Sequence, residues 1–380
     1  MSGIYLHVPF CRTACHYCDF HFSTSMKNVD SFVDAVIREI QIRSGQTPWH
    51  SSLFRTLYFG GGTPSVLSVE QTQRIVSAIE KCLNNDGSWA ESTIEVNPED
   101  VSKESLRGWR KCGFNRISIG VQSFDDDQLN WMNRKHSAAE ASEAIWLAKS
   151  EGFEKVSIDL IYGIPHRSEK SWTDTIDKAF YLPIDHISCY ALTIEPKTVL
   201  GARVKKDIEK AAPDKLIEND YSELCLMAQY NGFIHYEVSN WARSEENKAI
   251  HNTSYWEGVP YLGLGAGAHG FDGNRRYSLV SNNNKYISSI ESRVLPEKFE
   301  ELTALDRSNE MLMTGLRTSY GVDFGELKRL WGVDHILENA SAWKRWVEAG
   351  AIIPVDENRY RISEKCWLIG DSISADLISI

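Results

Sequence analysis

The sequence predicts an α/β protein: an open, partial (β/α)6 TIM-like barrel followed by a smaller C-terminal α+β, winged-helix-like domain. Three observations predict it. Short β-rich runs alternate with amphipathic helical stretches through the first 240 residues, as βαβ units on a parallel sheet do. Six such units occur, too few for a closed eightfold barrel. The pattern then changes, first to an Asn-, Gly- and Tyr-rich stretch and then to a series of short helices. The expected division is a barrel over 1–240, a connecting segment over 241–296 and the helical, winged-helix-like domain over 297–380.

The predicted strands are Gly3–Val8, Thr56–Gly60, Thr93–Val96, Arg116–Val121, Val156–Ile161 and Ile187–Ala191, short runs rich in apolar and β-branched residues. The predicted helices are Asp30–Ser44, Ser68–Leu83, Ser102–Cys112, Ala138–Ser150, Glu169–Phe180 and Ala211–Tyr230. Ser68, with Gln71 three residues on, has the form of a capping box. Asp100 and Ser102 stand ahead of the third helix as N-cap residues, and Gly113 and Gly152 follow the third and fourth helices as stops. Phe233–Ser239 reads as a further edge strand. In the last domain, helices are expected near Thr303–Arg317, Phe324–Trp331, Asp334–Glu338 and Ala340–Ala349. A wing follows, Ile352–Val355 and Tyr360–Ile362, around the turn Asp356-Glu357-Asn358. No basic recognition helix accompanies it, which favours a packing or lid role over DNA binding.

Bulk properties narrow the function. The chain of 380 residues carries a net charge of −11, and neither a basic excess nor a basic stripe marks it as a nucleic-acid binder. The cluster Arg203, Lys205, Lys206 is followed by Asp207 and Glu209 and reads as solvated surface. No apolar run approaches the roughly 18 residues of a membrane span, and Cys11 lies too near Met1 for a signal peptide to precede it. A cytoplasmic protein with reduced thiols is expected. Of the eight cysteines, Cys82, Cys112, Cys189, Cys225 and Cys366 stand singly in apolar-periodic segments and read as core residues.

The other three, Cys11, Cys15 and Cys18, form a C-x3-C-x2-C group after the first strand. Three thiolates at this spacing can hold three irons of a [4Fe–4S] cluster and leave the fourth iron open. A zinc site would need a fourth ligand, for which His7, His16 and His21 are near in sequence. The ends of the other strands are equally unusual: Gly60-Gly61-Gly62-Thr63-Pro64, Glu95-Val96-Asn97-Pro98, Gln122-Ser123-Phe124, Asp159 before Tyr162-Gly163-Ile164-Pro165, and Tyr190-Ala191-Leu192-Thr193. All lie at C-terminal strand ends, where barrel active sites are built. Glycines admit close approach of a ligand to the backbone. Glu95 and Asp159 suit an amine or ribose hydroxyls, and Arg134 suits a carboxylate. Each has a plainer alternative as a turn, a helix cap or a surface charge; their convergence on one mouth favours a binding site.

C-x3-C-x2-C followed by GGTP after the next strand resembles radical S-adenosylmethionine (SAM) proteins. The wider set YLHVPFC, YFGGGTPS, EVNPE, SIGVQSF, NRKH and DLIYGIP resembles the oxygen-independent coproporphyrinogen III oxidase family over essentially the whole chain. The resemblance implies a [4Fe–4S] cluster on Cys11, Cys15 and Cys18, with SAM chelating the open iron. It implies Tyr5 and Tyr17 beside cluster and SAM, and Gly61, Gly62 and Thr63 at the methionyl part. Glu95, Gln122, Arg134 and Asp159 would meet SAM's polar groups, and Ala191 would lie near its adenine.

Two departures from the oxidase pattern matter. That enzyme carries a fourth cysteine where this chain has Phe20, and a long arm where only ten residues precede Cys11. Both departures are similar to a heme-chaperone branch of the family, as are His251-Asn252-Thr253-Ser254-Tyr255-Trp256 and the run Tyr261–Gly270. A neutral imidazole is a common heme ligand, and Tyr and Trp offer flat faces. Read without the family, His251 is a hydrogen-bonded histidine at a domain junction. With it, His251, Tyr255 and Trp256 are candidate heme residues and His269 is a second candidate ligand. The implied partners are heme, heme-accepting apoproteins with membrane respiratory enzymes among them, an electron donor for the cluster, and a second copy in a homodimer; no nucleic acid is expected. The alternative is an oxygen-independent coproporphyrinogen III dehydrogenase acting through a 5′-deoxyadenosyl radical. A tRNA-modifying enzyme is disfavoured by the acidic charge.

Overall fold

The computed structural model describes residues 2–85, 87–168 and 170–380. The first half repeats strand and helix: β1 (Ser2–Val8), α1 (Val29–Arg43), β2 (Phe54–Gly61), α2 (Val69–Cys82), β3 (Glu91–Val96), α3 (Lys103–Lys111), β4 (Arg116–Gln122), α4 (Asp126–Trp131), α5 (Ala138–Ser150), β5 (Lys155–Tyr162), α6 (Ser171–Tyr181) and β6 (His186–Ala191). β1 to β6 pair parallel in sequence order. Their residues are almost continuously buried, as strands covered on both faces require. Capping boxes at Ser68 with Gln71, Ser102 with Ser105 and Ser137 with Glu140 start α2, α3 and α5. Gly113 (φ +92°) and Gly152 (φ +88°) follow α3 and α5 in the left-handed region. The expected start of the fifth helix, Glu169, lies outside the described residues.

α7 (Val199–Lys205) and α8 (Asp214–Tyr230) follow, then β7 (Ile234–Glu237) and β8 (Asn240–Ala242). The predicted edge strand is thus a hairpin, with β8 antiparallel to β6. The segment 241–296 is more than a connection. It holds α9 (Ile250–Trp256), β9 (Tyr261–Leu264), β10 (His269–Phe271), β11 (Arg275–Leu279) and α10 (Asn283–Glu291). β9 pairs parallel with β1, and β10, β11 and β12 (Glu297–Glu301) continue the sheet antiparallel. The result is one open sheet of twelve strands in the order β12-β11-β10-β9-β1-β2-β3-β4-β5-β6-β8-β7. β1 therefore lies inside the sheet. The Asn and Gly content of this segment obscured its strands, which are only 3–5 residues long.

A buried network locks this extension to the first helix. Glu39 of α1, wholly buried, receives hydrogen bonds from Arg43 Nε (3.3 Å), Tyr286 OH (2.7 Å) and the Gly265 N–H (3.0 Å). Arg43, 2% exposed, also meets Glu297 Oε2 at 2.6 Å. The last part of the chain comprises α11 (Ala304–Leu316), β13 (Val322–Asp323), α12 (Phe324–Trp331), α13 (His335–Glu338), α14 (Ala340–Glu348), β14 (Ile352–Pro354), β15 (Arg359–Ile362) and α15 (Gly370–Ala375), with β13, β15 and β14 in a small antiparallel sheet. Among the described residues no helix is long and apolar enough to cross a membrane.

Candidate functional site

The C-terminal ends of β1 to β6 surround a cavity of about 470 Å³. Cys11, Cys15 and Cys18 line one side, on the loop after β1, with their thiols free and half-buried. The loop is held at its base by the Cys11 N–H on the Ser23 carbonyl (3.0 Å) and the Ser23 N–H on that of Pro9 (2.9 Å). Neighbours clamp it from both sides. Asn133 Nδ2 donates to the Ala14 carbonyl (2.7 Å), and the Leu200 N–H of α7 to the His16 carbonyl (2.8 Å). Sequence reading missed α4 and α7; the basic cluster at 203–206 in fact ends α7.

The glycine run serves packing as well as access. Gly61 has φ +104°, and a Cβ there would lie 2.4 Å from His7 Nδ1; one on Gly62 would lie 2.7 Å from the Val8 carbonyl oxygen. Only glycines let the end of β2 press against β1 and still face the cavity. Thr63 Oγ1 then donates to Cys11 Sγ (3.3 Å). Gln122 takes φ 67° where β4 bulges against β5, a backbone strain of a kind that gathers at functional sites.

The charged groups are placed by hydrogen bonds. Tyr58 OH donates to Glu95 Oε1 (2.6 Å) and the Gly61 N–H to Oε2 (3.2 Å). Ser118 Oγ donates to Asp159 Oδ1 (3.2 Å). Burial raises Glu95 to about 7 and Asp159 to about 6, against the opposing pull of these hydroxyl groups. Arg134 donates through Nη2 to Asn97 Oδ1 (2.9 Å) and the Gly120 carbonyl (2.6 Å), and through Nη1 to Cys15 Sγ (3.5 Å). Its Nε is buried with no partner among the described residues. Among the described residues it is the one Lys or Arg in a lining that also holds Asp19, Glu95, Asp159 and Glu195.

This donor set fits a [4Fe–4S] cluster with SAM. Burial pushes the Cys11 thiol up to about 11 and Cys18 to about 12, and ligation would take both as thiolates, with Thr63 and Arg134 donating to sulfur. The acidic lining suits a cationic ligand, and the unpartnered Arg134 Nε suits its carboxylate. A single zinc fits less well. His7 is held by Tyr5 OH (3.2 Å) and the His21 carbonyl (2.8 Å), His16 Nδ1 by the Trp131 carbonyl (2.8 Å) and His21 Nε2 by Asn283 Oδ1 (2.8 Å). Among the described residues no group of three or more His, Cys, Asp or Glu could hold a metal ion. A cubane asks for less convergence, because each thiolate binds its own iron.

Of the residues named from sequence, Tyr17, Gly61, Gly62, Thr63, Glu95, Gln122, Arg134, Asp159 and Ala191 all line this cavity. Tyr5 does not; it lines a second cavity behind the cysteine loop. Asn97 and Tyr190, from the strand-end segments, and Asn252, from the H-N-x-x-Y-W motif, also line the site, as do Tyr58 and Ser188, which were not foreseen. Tyr58 and Ser188 lie in β2 and β6, strands whose C-terminal ends were singled out, so strand alternation could have found them.

The H-N-x-x-Y-W segment is α9, whose N-terminal amides of Ile250 and His251 meet the Glu91 carboxylate (3.2 and 2.9 Å). Its side chains diverge. His251 is 1% exposed, with Nδ1 2.8 Å from Thr56 Oγ1 and Nε2 2.7 Å from Tyr255 OH. Burial lowers it to about 3, leaving it neutral. Both ring nitrogens are engaged, so in this conformation His251 offers no lone pair to a ligand. Asn252 faces the cysteine cavity, Tyr255 the space behind it, and Trp256 a cleft against α11.

Comparison with known proteins agrees with this geometry. A family model described as the radical SAM superfamily matches residues 5–179. The chain is similar to the heme chaperone HemW of Bacillus subtilis, 34% identical over 325 residues and 85% of each chain. It is also similar to that of Synechocystis sp., 33% identical over 336 residues, 86% of this chain and 80% of the other. Radical S-adenosyl methionine domain-containing protein 1 of Danio rerio mitochondria is 30% identical over 389 residues, 98% of this chain and 86% of the other. Among solved structures, coproporphyrinogen III oxidase (HemN) from Escherichia coli has the same fold, with a TM-score of 0.85 at 22% identity over 100% of this chain and 90% of that one. The chain belongs to the HemW family of heme chaperones, within the radical SAM superfamily.

Proposed function

We propose that this chain binds heme and hands it to heme-dependent apoproteins, with a [4Fe–4S] cluster on Cys11, Cys15 and Cys18 and SAM in the adjoining cavity. The observation that carries the cofactor reading is the convergence of three free cysteines, Glu95, Asp159 and Arg134 on one space. Glu95 and Asp159 would hold the cationic and ribose groups of SAM, and Arg134 its carboxylate. The glycine loop lets the ligand reach backbone groups. When bound, the cluster supplies an open iron and one electron at a time. The likeness to HemW proteins supports heme as the cargo. Phe20 is at the position where the oxygen-independent coproporphyrinogen III oxidase pattern has a fourth cysteine, and this favours carriage over porphyrin synthesis.

The test is anaerobic reconstitution with iron, sulfide and SAM, then addition of heme and an apo-cytochrome or apo-respiratory subunit. Heme binding followed by transfer is expected. Conversion of coproporphyrinogen III to protoporphyrinogen IX under reductant would instead establish the dehydrogenase.

A further inference from the structure

The second cavity, of about 380 Å³, lies behind the cysteine loop. Asp19 and Phe20 of that loop line both spaces, so the two share a wall. Nothing in the cluster and SAM reading uses this second space. Its remaining walls are mainly aromatic: Tyr5, Tyr255 and Tyr261, the last two in edge-to-face contact at 4.5 Å, and histidine. Asp19 and Ser281 on its rim are exposed, so it opens to solvent.

Two side chains there have no structural explanation. Phe20 is 66% exposed beside the cysteine loop, an apolar ring held out of the core. His269 begins β10, which turns back from the C-terminal end of β9, the strand parallel to β1. It therefore stands at the same end of the sheet as Cys11. Its imidazole is exposed and makes no hydrogen bond or ion pair among the described residues. The neighbouring histidines are committed: both nitrogens of His7, Nε2 of His21 and both nitrogens of His251 have partners. An available imidazole, an exposed ring and aromatic walls suit a flat ligand that carries an iron.

We infer that this cavity receives heme, with His269 as the axial ligand and Phe20 against the porphyrin face. The inference rests on the heme-carrying reading above and gives it a location. Ligation donates one nitrogen lone pair to ferric iron and displaces the water held there, with no electron transferred. His251 is then a positioning residue: it holds the Tyr255 hydroxyl in the cavity wall and ties α9 to β2 through Thr56. The open rim leaves the other face of the macrocycle accessible, as a carrier that must release its cargo requires.

Heme titration of the full-length, cluster-reconstituted protein, followed by the Soret band and by electron paramagnetic resonance, tests this. His269→Ala is expected to weaken binding about tenfold or more and to shift the Soret band, and added imidazole to restore the band. Phe20→Ala should weaken binding roughly threefold or more with the band unchanged. His251→Gln keeps a polar side chain in the buried site and should retain the wild-type band. If wild type binds heme and His269→Ala keeps both affinity and band, this site is wrong and the carrier reading stands. If wild type binds no heme, both fall.

Discussion

Arg43→Met should destabilise the fold by an amount that depends on pH. The variant strands Glu39, which is fully buried and keeps only Tyr286 OH and the Gly265 amide as partners. Removing one member of a buried pair costs about 3–5 kcal/mol. The carboxyl has a cheaper escape, protonation. Burial already raises it above the usual carboxylate range with Arg43 in place. Protonation limits that penalty, so the loss at neutral pH should lie at the lower end of that cost, about 3 kcal/mol. The sign follows from the raised folded value: folding takes up a proton, so the variant's stability falls as pH rises. The fall should begin above the ordinary carboxylate range and be steeper than in the wild type, where Arg43 still opposes the rise. Urea denaturation at several pH values measures this, and Glu39→Gln combined with Arg43→Met should remove the pH dependence and recover the part of the loss due to Glu39, leaving the lost Glu297 pair. A loss under about 1 kcal/mol, or one independent of pH, would refute the argument.

Other consequences are equally direct. Arg134→Lys removes the planar fork that spans Asn97, Gly120 and Cys15; SAM affinity measured by calorimetry should drop about tenfold or more, and an unchanged value would remove Arg134 from the site. Because Glu95 and Asp159 are raised to about 7 and about 6, affinity for the cationic ligand should fall as pH drops from about 8 to about 6, and Glu95→Gln should flatten the upper part of that profile. Gly61→Ala places a methyl 2.4 Å from His7 Nδ1 at φ +104°; a loss of about 1–3 kcal/mol is expected, and full stability would mean β2 shifts freely. Serine at Cys11, Cys15 or Cys18 should each abolish the visible absorption of the reconstituted cluster; retention in one variant would exclude that residue as a ligand.

The parallel half of the fold was legible because each strand is a short apolar run and each helix carries its own start and stop, as Ser68 with Gln71 and Gly113 illustrate. The cysteines, Gly61, Glu95 and Asp159 were legible because strand ends in such a sheet face one mouth, whereas Arg134, between α4 and α5, was legible through the family resemblance. The rest depended on long-range pairing. β9 to β11 are too short to show a period, and only their contact with β1 makes them a sheet. α4 and α7 lack a long amphipathic repeat. Tyr5 was assigned to the SAM side; its ring stands on the same face as that of Tyr58, 6.0 Å away, yet it lines the second cavity. The diverging side chains of α9 were hidden in a motif read as one unit.

The interior position of β1 bears on the order in which the chain is made. Of the strands in this sheet β1 is made ahead of the others, and β2 covers one of its edges early. The other edge waits for Tyr261–Leu264, about 250 residues later, which at about 5–20 residues per second is roughly 12–50 s. Throughout that time the strand that carries the cysteine loop presents bare amide and carbonyl groups, the kind of edge on which nascent chains aggregate. The completed loop stands beside Gly265–His269, so a cell that loads this protein does so after synthesis of the sheet's last strands, or shields β1 until they arrive.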